Sequence, residues 1–272
     1  MASENLVSIH NTDLGISHDG RVILAHGGLI GSSDGGAVYG QMVHPSPVDF
    51  GFFDDFEKLD TGRWLATEGT DSATSDAAIL AGGIGGVLRL TTGNNGSGLA
   101  ADTEQLTHNT LQFKAANGNL VFETRVKLSA ITTCYAFFGF TDTVAAALEA
   151  PIMSASSANT LTSNATNAVG FMFDTRMSTD NWWLVGVAND VDATAQNSGY
   201  APVADTYEVL RIEVDTSGVA TFFRNGLKIG TAMSGAVTAS VALTPVMSVS
   251  KTSVAASMTC DVDYLHAACK RA

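Results

Sequence analysis

Positive charge is what this 272-residue chain has least of: 14 Lys and Arg stand against 27 Asp and Glu, a formal net charge of −13. A row of phosphate-neutralising cations is therefore missing, which excludes nucleic acid as a direct partner. Charged residues of both signs make up only 15% of the chain. With Glu, Lys and Leu this scarce, a coiled coil, a long helical bundle and a disordered acidic tail are excluded as well. No apolar run approaches the roughly 18 residues that cross a bilayer, so no membrane partner is expected. The start, Met1-Ala2-Ser3-Glu4-Asn5, lacks the basic and apolar regions of a secretory signal, so synthesis in a cytoplasm is expected. Three cysteines, Cys134, Cys260 and Cys269, are an odd number in a long chain and read as small buried hydrophobes.

What is present divides into an arm and a block. Residues 1–49 hold eight Gly, four of the six His, one cation and five acids, and they end in the stiff linker His44-Pro45-Ser46-Pro47. Arg21-Val22-Ile23-Leu24-Ala25 reads as one short strand between Asp19-Gly20 and Gly27-Gly28 turn signals. So few apolar anchors cannot offset the ordering entropy of 49 residues, so this extended arm orders on something else. A partner surface is the favoured choice, gripped by Arg21, Val22, Ile23, Leu24, Leu29 and Ile30. His10, His18 and His26 recur every eight residues; solvated histidines are the plain reading, and no metal or cofactor is expected.

From Phe50 the hydrophobic period is two. Leu120 to Leu128 places Leu120, Phe122, Val126 and Leu128 on one face and Glu123, Arg125 and Lys127 on the other. Leu210 to Asp215 alternates in the same way, turns at Thr216-Ser217-Gly218 into 219–223, and turns again at Asn225-Gly226 into 227–230. Asn-Gly between alternating strands is a strong hairpin signal. Further strands read over 86–91, 134–141, 169–174, 182–188, 243–249 and 259–267. Residues 143–168, almost entirely Ala, Ser, Thr and Asn, read as a long surface loop with at most a short helix at Val144–Ala150. The prediction is an all-β, two-sheet antiparallel sandwich over 50–272, preceded by the extended N-terminal arm.

Phe53-Asp54-Asp55-Phe56, then Leu59-Asp60-Thr61-Gly62-Arg63-Trp64, resembles the opening strand of concanavalin A-like and laminin-G-like jelly rolls. The segments Tyr207–Val214 and Thr221–Gly230 are similar to a later hairpin of that group, and Cys260–Leu265 to its final strand. The resemblance implies a jelly roll over about residues 50–267; the superfold hosts lectins, glycosidases and structural modules. Such a domain behind an unrelated arm also resembles virion proteins of tailed bacteriophages. That second resemblance implies a capsid decoration or cement protein on the virion surface, made in the host cytoplasm. Its partners would be the major capsid protein of the same virion and itself, as a homotrimer.

Laminarinase-like glycosidases carry three acids on one strand as E-x-D-x-x-E; here Glu213-Val214-Asp215 offers two, and position 218 is Gly. No catalytic residues are assigned, and the expectation is that the chain is not an enzyme. Asp174 and Asp180 lie in one loop with Asn181 and are calcium candidates, against an ordinary polar turn with Arg176 neutralising Asp174. Trp182 and Trp183 are adjacent, so a strand points them to opposite faces: one is core, and the other meets a glycan or a subunit. The leading expectation is a non-enzymatic phage decoration protein; the alternative is a carbohydrate-binding module that recognises a cell-surface glycan.

Overall fold

The computed structural model describes residues 50–271 apart from 71–74, 84, 95–101, 145–149, 156–158 and 253–255, together with the backbone of Asp49 and of four short N-terminal strands. By its contacts the chain divides into Met1–Gly51 with Lys270–Ala272, and Phe52–Cys269. In the first unit β1 (Val7–Ser8), β2 (Leu14–Ile16), β3 (Val22–Leu24) and β4 (Ile30–Gly31) form one antiparallel meander. Sequence reading expected one strand here; strands of two or three residues are too short to display a period. Of the predicted arm contacts, Val22, Ile23, Leu24 and Ile30 lie on β3 and β4, whereas Arg21 and Leu29 lie outside the described residues.

The second unit is a sandwich. After β5 (Asp49–Asp54), sheet I runs in space as β20 (Leu227–Met233), β19 (Ala220–Arg224), β18 (Glu208–Val214), β10 (Leu120–Leu128), β22 (Thr259–Lys270), β8 (Leu88–Thr91) and β7 (Asp76–Ile79). Sheet II runs as β16 (Val191–Asp192), β15 (Trp183–Ala188), β14 (Asn167–Asp174), β11 (Cys134–Thr141), β21 (Thr244–Lys251), β9 (Glu104–His108) and β6 (Trp64–Glu68). The registers recorded within both sheets are antiparallel, so the expected two-sheet architecture is present.

Local sequence explains the joints. Asn225 and Gly226 both have positive φ, 49° and 78°, the type I′ geometry that Asn-Gly favours between β19 and β20. At the preceding turn Asp215 Oδ1 accepts the backbone N–H of Ser217 and of Val219, and Gly218 sits at φ 80°. A Cβ at position 218 would lie 2.1 Å from the Val237 carbonyl oxygen, so only glycine fits.

Between the sheets lies an aromatic core. Phe171 meets Phe222 edge-on at 5.4 Å, Phe122 meets Phe140 at 5.7 Å, and Trp182 is surrounded by Phe138, Phe171 and Phe173. Such pairs add roughly 0.5–1.5 kcal/mol each beyond the area they bury. Cys134, Cys260 and Cys269 are all buried and unbridged.

Candidate functional site

β11 and β14 are buried at every position, so the outward face of sheet II is also covered. That face carries Tyr135, Phe137, Met172, Trp183, Val185 and Val187, which form a second apolar cluster with Ala150, Ile152 and Ala165. The cover is a hairpin of β12 (Ile152–Ser154) and β13 (Leu161–Ser163), within the segment expected from sequence to be a surface loop. The correction has a physical cause: Ile152 and the flanking Ala150 and Ala165 bury their side chains on the sheet, which a solvated loop would not do. Beneath the hairpin the ring of Phe137 lies over Gly170, where a Cβ would come within 2.4 Å of its Cζ.

Hydrogen bonds latch the hairpin to the sheet. Asp174, fully buried, accepts from the Arg176 side chain through both carboxylate oxygens at 2.9 and 2.6 Å, and its Oδ2 also accepts the Ser154 backbone N–H at 2.9 Å. The Tyr135 hydroxyl donates to the Ile152 carbonyl, and Ser163 Oγ donates to the carboxylate of Asp192. Of the two calcium candidates, Asp174 has its oxygens occupied by protein donors and Asp180 is exposed. No cluster of three or more metal-ligating side chains occurs among the described residues.

Beside the hairpin, sheet II ends in a groove of about 510 Å³. Asn189 and Asp190, both at positive φ, make the tight turn from β15 to β16, pairing Val187 with Asp192. The chain then swings out through 193–195 and returns as β17 (Gln196–Asn197), which pairs Asn197 with Trp183. This excursion is one wall of the groove, and Asn159, Thr160 and Leu161 at the hairpin end are the other. Trp183 lies at the floor, 5% exposed, with its indole N–H donating to the Thr179 carbonyl. Apolar Trp183 and Leu161 thus sit among Asn159, Thr160, Asp192 and Thr194, and among the described residues Asp192 is the one ionisable side chain lining the groove.

The adjacent tryptophans do point to opposite faces. Trp182 is in the inter-sheet core, 1% exposed, its indole N–H bonded at 2.7 Å to Glu208, which also holds Arg224. Of the two, Trp183 alone lines the groove. The groove walls were not anticipated from sequence; the available signals were the turn pair Asn189-Asp190 after the apolar stretch 182–188, and Ile152, Met153 and Leu161 among small and polar residues.

Glu213 and Asp215 lie at the other sheet. With Asn119, Arg211 and Thr221 they line a concavity of about 560 Å³ on sheet I. One oxygen of each is engaged: Glu213 Oε1 accepts from Arg211 at 2.8 Å, and Asp215 Oδ1 caps its turn.

No protein-family model matches this chain, and no curated protein matches it in sequence. Solved structures do. A β-glucanase from Bacillus licheniformis aligns with TM-score 0.55 at 11% identity over 80% of this chain and 97% of its own. A glycoside hydrolase family 16 endo-glucanase from Bacteroides ovatus aligns with TM-score 0.54 at 12% identity, covering 79% and 98%. The carbohydrate recognition domain of Emp47p aligns with TM-score 0.53 at 10% identity, covering 82% and 96%. The fold is therefore the concanavalin A-like jelly roll, shared by glycoside hydrolases and carbohydrate-binding domains. The expectation that the chain is not an enzyme is corrected by these likenesses. Glucanases are built on this sandwich, so the fold is compatible with enzymatic activity.

Proposed function

We propose that this protein binds carbohydrate, and that its saccharide site is the groove between the β12–β13 hairpin and the 192–195 wall. The observation that carries the reading is the groove lining. The apolar surface of Leu161 in the wall and of Trp183 at the floor suits the C–H faces of a sugar ring, while the amide, hydroxyl and carboxylate groups around it suit its hydroxyls. The kinship of the fold with glucanases and a carbohydrate recognition domain supports the same class of ligand.

The test is calorimetric titration of the full chain with mixed-linkage β-1,3-1,4-glucan oligosaccharides, beside a broad glycan array. Binding is expected, and Thr194→Arg, at an exposed position of the groove wall, is expected to abolish it with little change in melting temperature. A wild-type chain with no glycan partner at millimolar concentration would overturn the reading.

A second reading concerns the N-terminus and is compatible with the first. Residues 1–51 form a unit with a sheet of their own, which favours an attachment module rather than a simple linker. In that role the arm would dock a homotrimer on the major capsid protein of a phage virion and leave the jelly roll outward to meet a cell-surface glycan. Deletion of residues 2–48 is expected to remove the protein from capsids; unchanged occupancy would sink the idea.

A further inference from the structure

Resting on the saccharide reading of the groove, we infer that its ligand is a neutral glycan, and that Asp192 acts as the selectivity group that turns away uronic acid, sulfated and sialylated sugars. The groove is lined by one carboxylate and no cation. The turn leading into it adds a second exposed carboxylate, Asp190. Arg176, in the loop that leads from β14 to β15, has its guanidinium held by both oxygens of Asp174. An anionic sugar in this groove would lose hydration beside Asp192 without gaining a counter-charge. A neutral pyranose meets no such penalty, since its hydroxyls donate to the carboxylate and to Asn159 or Thr194. Asp192 is also held in place, because Ser163 on β13 donates to one of its oxygens.

The general acidity of the chain, −13 overall, repels anions from every surface, so the experiment must separate local from global charge. The probe is one mixed-linkage β-1,3-1,4-glucan oligosaccharide in two forms, unmodified and with its primary hydroxyls oxidised to carboxylates. Titrated into the full chain at low salt, the oxidised form is expected to bind about tenfold or more weakly than the neutral form. Asp192→Asn, which keeps the acceptor for Ser163, is expected to close most of that gap by improving the oxidised ligand alone. Glu213→Gln, on the other sheet, removes the same charge from the molecule and is expected to leave the gap unchanged. Equal or tighter binding of the oxidised form, or a gap that Glu213→Gln closes as well as Asp192→Asn, overturns the inference while leaving the saccharide site standing. If neither form binds and the array is empty, the saccharide reading itself falls, and the inference with it.

Discussion

On the outer face of sheet I, Arg89, Arg125, Lys127 and Arg211 each meet a carboxylate on a neighbouring strand: Asp261, Asp263, Asp261 again and Glu123. On the outer face of sheet II, Tyr135, Phe137, Met172 and Trp183 meet a hairpin instead. Both faces come from the same alternation of side chains, so the sheet itself does not decide which is wet. The decision lies in residues such as the paired Phe137-Phe138, which put apolar bulk on both sides of a strand and so require a second cover. The ionic face holds mostly half-exposed pairs, each worth about 0–1 kcal/mol. Asp261 is its exception: it is buried, and although burial opposes its ionised form, hydrogen bonds from Arg89 and Lys127 outweigh that and hold it below the usual carboxylate range. The covered face relies on apolar burial and on the pair of buried Asp174 with part-exposed Arg176.

That ion pair is where the comparison breaks most easily. Asp174→Ala leaves the buried Ser154 N–H and the part-exposed Arg176 guanidinium without their acceptor, and a loss of about 2–3 kcal/mol is expected, the scale for orphaning a buried donor. Urea denaturation reads it, and a loss under about 1 kcal/mol would mean the latch does not hold the cover. Of similar size is a gain. Glu104 on β9 is fully buried with both carboxylate oxygens unpartnered, whereas buried Glu208 on sheet I holds Arg224 and Trp182. Burial first, then Glu68 and Asp76, push the Glu104 carboxyl up to about 9. The folded chain therefore keeps a proton that the unfolded chain releases above its ordinary value of 4.5, so stability falls as pH rises from there to about 9. At pH 7 the shortfall is roughly 3 kcal/mol, at about 1.4 kcal/mol per pH unit. Glu104→Gln removes the titration, so it is expected to stabilise the chain at pH 7 by that amount and to be neutral near pH 4. Equal effects at both pH values would show that the carboxyl is ionised when folded.

Most of sheet I was legible in the sequence because the outer side of strands such as β10 and β18 is charged: Leu120 to Leu128 shows period two, and the strand spans it fully, whereas β7, Asp-Ala-Ala-Ile, is too short and plain to have been read. Strands 11 and 14 were legible for a different reason, as apolar runs of strand length between polar turns. The β12–β13 hairpin was not, since the three-residue strands Ile-Met-Ser and Leu-Thr-Ser cannot show a period. What makes them strands is the apolar face beneath, and that face belongs to residues far along the chain, Phe137 and Trp183. The candidate groove shares this limit. Trp183 stood out as one of an adjacent pair, but Asp192 and Asn159 gain their meaning only when β16 and the hairpin come together across it.

The smallest expected effect tests the ionic side of the comparison. Arg211 bridges Glu123 and Glu213 at 3.0 and 2.8 Å, and its side chain is 34% exposed. Arg211→Met keeps most of the stem that packs on the sheet and removes the charge, leaving two carboxylates on neighbouring strands. Because solvent screens all three groups, a loss below about 1 kcal/mol is expected. The difference from wild type should shrink further in 1 M NaCl, where the screening length falls to about 3 Å. A loss of 2 kcal/mol or more that survives high salt would mean that the network on sheet I stabilises the fold as a buried pair does. The contrast between an apolar, latched face and a solvated, ionic one would then have to be redrawn around hydrogen-bond geometry rather than exposure.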